Sequence, residues 1–461
     1  MSATNGSNAH VSNVAPRIEL LTGPRQRPVA FDARGPLTLE AFEAEVCGVA
    51  RLLPEATHAL NLCDDRHFFL VAFCAAAMRG QTTLLPPSRA AAVVDEVRME
   101  HPGAYCLGDS ELVPSPPGYL RLPQVLPTCG EGRVDIGLDA LVAIGFTSGS
   151  TGMPTANPKT WGAFHITTRQ NLAALEGLMH VGTTTPVVAT VPPQHMYGME
   201  LSVLLPLLAD VAVHSARPFF PADVARALHD AFAPPLLVTT PVHLRALVET
   251  ARETGLALPP MAGIVSATAP LTQALALEAE AVFGCEVREL FGATETCVIA
   301  VRRTAHDTAW TPLTGVRLVP QPNGTAVHAD HLPQPVVLAD VVELLADGRF
   351  ELRGRRSDLL EIAGKRASLG DLTRKLLAVP GVLDGVVVQL DANAHGVRRI
   401  AALVVAPHIT PDAVRRALRV SIDPAFLPRV LRVVPALPRN ATGKLPRDAV
   451  LALLQASPPA V

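Results

Sequence analysis

The stretch 147-TSGSTGMPTANPK-159 sets short hydroxyl-bearing residues and glycines side by side and brings a lysine only after two prolines. A flexible linker has this composition. So does an anion cradle, because backbone N–H groups and small hydroxyls wrap an anion only where no bulky side chain intervenes. The run just upstream, LVAIGF (141–146), is apolar and of strand length. The loop therefore sits at a strand end, where α/β folds place their ligands. It is not a Walker loop, since GxxxxGK[ST] is absent.

Working outward, residues 185–300 read as alternating strands and helices. VVATV (187–191), LLVTT (236–240), GIVSATAP (263–270) and EVREL (286–290) are strand candidates. PVHLRALVETARE follows Thr240 as N-cap with Pro241 at the first helical position, and LTQALALEAEAVF is a second helix. That alternation predicts an α/β class with doubly wound sheets. After about residue 354 the texture changes to a small α+β unit. DLTRKLLAV and PDAVRRALRV read as helices, and GVVVQL, RIAALVVAP and RVLRVV as strands. The predicted domains are 1–353, large, and 354–461, small and mobile. Charge divides at the same place. From Gly354 onward there are 16 Lys+Arg against 8 Asp+Glu, and before it 23 against 34. An anionic partner for the small domain follows from that asymmetry, as does the plainer reading of an arginine-rich surface.

Bulk composition narrows the function classes. With 461 residues, 49% hydrophobic and 18% charged, the chain is globular and long enough for several domains. Aromatics at 4% and a net charge of −3 argue against a nucleic-acid reader built on stacking. FLVAFCAAAM (69–78) and LSVLLPLLADVAV (201–213) are too short or too interrupted to span a bilayer, so no membrane span is expected. The first residues lack a signal-peptide layout, and the cytoplasm is the expected compartment. Seven cysteines without a CxxC pair predict buried free thiols, not a disulfide framework or zinc site.

Three further motifs decide the meaning of the loop. They are FGATET (291–296), VVLADVVE (336–343) running into GRRSD (354–358), and PRNATGKLPR (438–447). In this order and spacing, over roughly residues 40–450, the chain resembles the adenylate-forming superfamily of acyl- and aryl-CoA synthetases, peptide-synthetase adenylation domains and luciferases. The resemblance implies ATP and Mg²⁺ as cofactors. Thr147, Ser148, Gly149, Ser150, Thr151 and Gly152 would form the phosphate loop. Phe291, with Gly292 behind it, would stack on adenine, and Thr294 would contact the α-phosphate. Glu295 would hold Mg²⁺, Asp340 with Arg355 would bind the ribose, Asp358 would be the hinge, and Lys444 the mobile catalytic lysine. VPPQHMYGME (191–200) matches the acid-pocket segment, giving His195 and Tyr197, with His243, Ala267 and Thr268 as further walls. These residue types suit the chemistry. A carboxylate attacking an anionic phosphate needs cationic charge and N–H donors to disperse what builds up in the transition state.

The chain departs from the family pattern in two places. TANP separates Pro154 from Lys159, where the family has proline followed directly by lysine. IAGKRASL (362–369) also differs from the usual segment after the hinge. With NLCDDRHFF (61–69) and LLPPSRA (84–90), these features resemble a subgroup of aryl-polyene and xanthomonadin pigment pathways. Its members load 4-hydroxybenzoate-type acids onto an acyl carrier protein. The expected partners are an aromatic carboxylic acid and a holo acyl carrier protein, with CoA as the alternative thiol. A catalytically silent nucleotide-binding relative is the reading of a different class. Arg415, Arg416 and Arg419, within about a turn on one helix, are expected to share the face that meets the carrier.

Overall fold

The computed structural model describes residues 16–130, 135–148, 154–355, 359–362, 365–390, 399–440 and 443–455. The chain divides into two compact units. The first holds residues up to Arg169 with Gly182–Thr184 and Pro193–Ala216, and the second holds Gln170–Val181, Thr185–Pro192 and Arg217 onward. The expected boundary at 353/354 lies inside the second unit.

The first unit is built on a six-stranded sheet. Its strand order is Pro154–Thr160, Leu141–Ser148, Thr82–Leu85, His58–Asn61, Tyr105–Gly108 and Tyr119–Arg121. All neighbours run parallel except the edge strand Pro154–Thr160, which folds back antiparallel on Leu141–Ser148. The apolar run 69–78 lies in the helix Arg66–Met78, capped by Asp65, whose side chain accepts the Phe68 N–H at 3.2 Å. Its uniformly apolar surface reflects burial on nearly every side. Among the described residues no helix is long and apolar enough to cross a membrane.

The second unit carries a parallel sheet in sequence order: Thr185–Ala189, Leu236–Thr239, Gly263–Ser266 and Val287–Ala293. Antiparallel Cys297–Arg302 and Thr311–Pro312 extend it beyond Val287–Ala293. The sequence signals act as read. Thr240 caps the helix Pro241–Thr254 by accepting the His243 N–H, and Gly255 ends it at φ 68°. Leu244, Leu247 and Val248 form its buried stripe, each contributing on the order of 2 kcal/mol of apolar burial. Thr272 and Gly284 bound the next helix, Gln273–Phe283, in the same way. The C-terminal α+β module has strands Asp384–Gln389, Ile400–Val405 and Val430–Val433, the middle one shared. Helices Leu369–Leu377 and Pro411–Ser421 bury Leu372, Leu376, Val414 and Leu418 into one core with them. On Pro411–Ser421 the three arginines do not share one face equally. Arg416 and Arg419 are exposed, whereas Arg415 pairs with Asp412 at 3.2 Å.

One expectation is overturned. Cys47, on the helix Leu39–Ala50, and Cys129 are disulfide-bonded, with Cα atoms 5.6 Å apart. The segment around Cys129 lies hard against that helix. Cys129 N–H donates to Ala44 O at 3.0 Å, and a Cβ on Gly48 would stand 1.9 Å from Pro127 O. Glycine at 48 is thus what admits the second segment, and a separation of 82 residues hid the pair from any local motif. The other five cysteines are free. Denatured without reductant, the chain should therefore titrate five thiols, and seven after reduction. Seven in both would mean the bridge does not form.

Candidate active site

Parallel strands end on one edge, and in the second unit that edge collects the predicted residues. Thr190 follows Thr185–Ala189, and Thr240 to His243 follow Leu236–Thr239. Ala267 and Thr268 follow Gly263–Ser266, and Thr294 and Glu295 follow Val287–Ala293. The last pair sits at a tight reversal into Cys297–Arg302. A Cβ on Gly292 would meet Cys297 O at 2.1 Å, so only glycine allows the approach. Thr296 is buried and its Oγ1 accepts the Ala293 N–H at 3.1 Å. His331 Nε2 lies 2.8 Å from Thr296 O. Anchoring Thr296 leaves the partly exposed Thr294 and Glu295 at the tip of the turn.

Phe291 is half-buried, its ring centroid 5.4 Å from Trp310 and 6.0 Å from Phe350. One side of the ring therefore belongs to the core cluster of Trp310 and Phe350. Asp340 opens the hairpin Asp340–Leu344/Phe350–Arg355, and its register partner is Arg355. The two residues assigned to the ribose are thus neighbours across one ladder. Asp358 lies outside the described residues.

Lys444 is exposed on a turn held by its own neighbours. Asn440 Oδ1 accepts the Lys444 N–H at 2.9 Å, and Lys444 O accepts the Asn440 N–H at 2.9 Å. Gly443 takes φ 78°. Arg439 donates to Gly443 O at 2.8 Å and grips Asp384 with two hydrogen bonds of 2.8 and 3.0 Å. A Cβ on Gly443 would lie 3.4 Å from Val242 Cγ2 and 3.9 Å from Thr240 Oγ1. A turn two hundred residues downstream is thereby set against the start of the helix Pro241–Thr254, at the same sheet edge.

His243 sits in the first turn of that helix. Its Nδ1 is 2.9 Å from Thr190 Oγ1, which is 3.0 Å from Thr239 Oγ1. The Phe219 ring packs edge-on against it at 5.0 Å. Burial, with the nearby Arg217 charge second, holds its pKa below the ordinary 6.5. Thr268 takes φ 78°, a strained conformation for a β-branched residue that persists only where the surroundings enforce it.

The first unit holds the remaining assignments. Thr147 and Ser148 end the strand Leu141–Ser148, in register with Thr155 and Pro154. Gly149, Ser150, Thr151 and Gly152 lie outside the described residues. Lys159 is paired with Ala143 and is 5% exposed. It stands five strand positions from the hairpin end, roughly 17 Å at strand rise. With TANP between it and Pro154, the first lysine after the loop is a buried strand residue. His195 precedes the short helix Met196–Met199 and accepts the Met199 N–H on its carbonyl at 2.7 Å. Tyr197 is buried. The helix continues as a π-helical turn, Glu200–Leu204, an irregularity frequent at functional sites.

The AMP-binding enzyme family matches residues 51–330 of this chain. The chain belongs to that family. A 4-coumarate–CoA ligase from Rhodobacter capsulatus is 30% identical over 303 residues, covering 65% of this chain and 73% of the relative. Enterobactin synthase component F from Escherichia coli is 34% identical over 119 residues, 24% of this chain and 9% of that one. Among solved structures, ATP-bound MatB from Rhodopseudomonas palustris aligns with a TM-score of 0.77 at 18% identity, over 92% of this chain and 95% of that one. The o-succinylbenzoate CoA synthetase of Bacillus subtilis, in complex with its acyl-adenylate intermediate, gives 0.76 at 17%, over 92% and 95%. Fold and family together make the AMP-binding chain an adenylate-forming ligase with a mixed α/β architecture.

Sequence reasoning passed over Thr190, Phe219, Glu289, Arg302 and Trp310. Glu289 had a legible signal, a carboxylate on the same strand parity as Val287 and Phe291. The depressed pKa of His243 gives a test of its setting. The unfolded chain takes up the proton first, near 6.5, so the stability from holding the imidazole neutral is present above that pH. It is lost as pH falls through the lower folded pKa. His243→Gln should flatten the dependence of unfolding free energy on pH between about 7 and 5, read by urea titration. Parallel profiles for the two proteins would contradict this.

Proposed function

We propose that the chain activates an aromatic carboxylic acid of the hydroxybenzoate type with ATP and passes the acyl group to the phosphopantetheine thiol of an acyl carrier protein. The observation that carries the reading is the approach of the Gly443 turn to Val242 and Thr240, where a Cβ on that glycine would lie 3.4 and 3.9 Å away. It sets the lysine-bearing turn beside the sheet edge at which Thr294 and Glu295 also end.

In this reading the acid carboxylate attacks the α-phosphorus of ATP, the bond to the pyrophosphate oxygen breaks, and an acyl-adenylate forms. Thr294 binds the α-phosphate oxygen and Phe291 offers its open face to adenine. Asp340, with Arg355 beside it, accepts the ribose hydroxyls. Thr147, Ser148, Gly149, Ser150, Thr151 and Gly152 supply N–H and hydroxyl donors to the departing pyrophosphate. Lys444 places an ammonium against the charge that builds up. His195, Tyr197, His243, Ala267 and Thr268 line the acid site, where the neutral His243 can hydrogen-bond without adding charge. Among the described residues no three His, Cys, Asp or Glu side chains are grouped to hold a metal. Glu295 would hold Mg²⁺ in this reading. Bound there, Mg²⁺ would supply charge neutralisation of the phosphates. The segment from residue 354 then swings about Asp358, withdrawing Lys444 and admitting the thiol, whose sulfur displaces AMP.

CoA as the acceptor is the second reading, favoured by the likeness, over 65% of this chain and 73% of each relative, to proteins named 4-coumarate–CoA ligase. Pyrophosphate release across a panel of aryl and fatty acids, with CoA and holo carrier protein compared at equal concentration, tests both. Hydroxybenzoates with carrier protein should be turned over best, and a preference for fatty acids or for CoA would overturn that part. Lys444→Ala should slow adenylation a hundredfold or more, a contact of this kind supplying about 3–4 kcal/mol. Thioester formation from supplied acyl-adenylate should be largely spared. Equal loss in both half-reactions would reject the withdrawing lysine. Arg416 and Arg419 present the exposed basic face of the helix Pro411–Ser421. Reversing both to Glu should raise KM for the carrier protein severalfold and weaken its salt dependence, with adenylation unchanged. An unchanged KM would remove that face from the docking site.

A further inference from the structure

Glu289 is a carboxylate 3% exposed in the middle of the second unit's sheet. It is fully engaged. Oε1 accepts the Leu271 N–H at 2.9 Å, and Oε2 accepts Arg302 Nε at 2.8 Å, Arg302 Nη2 at 2.7 Å and Thr304 Oγ1 at 2.6 Å. An ionised carboxylate accepts about four hydrogen bonds, and four donor atoms reach this one, one at Oε1 and three at Oε2.

The two oxygens look in different directions. Leu271 closes the loop that leaves Gly263–Ser266 and contains Ala267 and the strained Thr268, the acid side of the proposed site. Arg302 belongs to the strand paired with Val287–Ala293, the nucleotide side. Its guanidinium lies 4.3 Å from the Trp310 ring centroid, and it donates to Thr308 O at 2.9 Å. Trp310 in turn packs on Phe291 at 5.4 Å and exchanges backbone hydrogen bonds of 2.7 and 3.0 Å with Phe350, on the strand that ends at Arg355. A single side chain therefore joins the acid-side loop to the stack beneath Phe291.

We propose that Glu289 is a positioning residue that fixes the acid-side loop Ala267–Leu271 relative to the nucleotide-side ring of Phe291. It touches neither substrate. The assignment of the two sides rests on the function proposed above, while the mechanical link does not. The strain at Thr268 gives the link its purpose. A β-branched residue at positive φ relaxes unless both ends of its loop are held, and Leu271 N–H, three residues on, is the held end. Releasing it would shift the wall that the acid meets. Releasing Arg302 would free the guanidinium from Trp310 and loosen the support of Phe291.

Glu289→Gln separates this link from mere filling of space. A glutamine has one acceptor oxygen and one NH₂, so it can satisfy Leu271 or Arg302 but not both, at nearly unchanged volume. The variant should bind a non-hydrolysable ATP analogue about tenfold more weakly by calorimetry, and its KM for the acid should rise severalfold in pyrophosphate release. Trp310 emission should shift in the ligand-free protein, with Trp161, buried in the other unit, as a constant background. A purely structural role would lower the melting temperature and the active fraction while leaving Kd and KM of the folded protein unchanged. That result, or an unmoved Trp310 spectrum, would overturn the proposal. The emission and calorimetric readings need no turnover. A wild-type protein that binds the analogue yet releases no pyrophosphate with any acid would reject the proposed function and leave this inference to be judged on its own.

Discussion

Everything that makes the second unit a site depends on one property of parallel sheets, that their strands finish together. Thr185–Ala189, Leu236–Thr239 and Gly263–Ser266 are short and buried along their length, and Val287–Ala293 runs parallel beside them with Glu289 in its buried half. What they supply is a common edge. Thr239 is in register with Ser266, and Ser266 with Glu289, so a row of oxygen-bearing side chains runs across the sheet just below it. Two members of the row reach the loops above it through hydrogen bonds: Thr239 bonds Thr190, which bonds His243, and Glu289 bonds Leu271 and Arg302.

The second determinant is close backbone approach. At Gly48 and Gly292 the space a Cβ would occupy is already taken by a carbonyl oxygen, that of Pro127 and Cys297 respectively. Neither glycine is at positive φ. Their necessity comes from what passes by and not from the turn they make. One admits the segment that the Cys47–Cys129 bridge secures, and the other folds the turn that carries Thr294 and Glu295.

How much of this was legible follows from the range over which each signal acts. Thr240 as N-cap and Pro241 at the first helical position are local signals, and the helix they imply, Pro241–Thr254, begins where it was read. Motif order carried the family. The Cys47–Cys129 bridge, the Glu289–Arg302–Trp310 chain and the Gly443–Val242 contact join residues far apart, and no local pattern encodes them. The arginines of Pro411–Ser421 lie between these cases. Helical spacing put them together, but the ion pair of Arg415 with Asp412 reserves one of them. Lys159 is the instructive divergence. Its identity matched a family motif, but with TANP before it the residue lies buried in the edge strand, five positions from Pro154.

That placement leaves residues 147–158 without a single basic side chain. On the function proposed above, the segment would offer an anion only amide dipoles and hydroxyls of its own, and the pull of a dipole dies away with distance faster than that of a charge. Its share in capturing the ligand would then lose little to ionic strength, and would rest on the spacing of the anion's oxygens more than on valence.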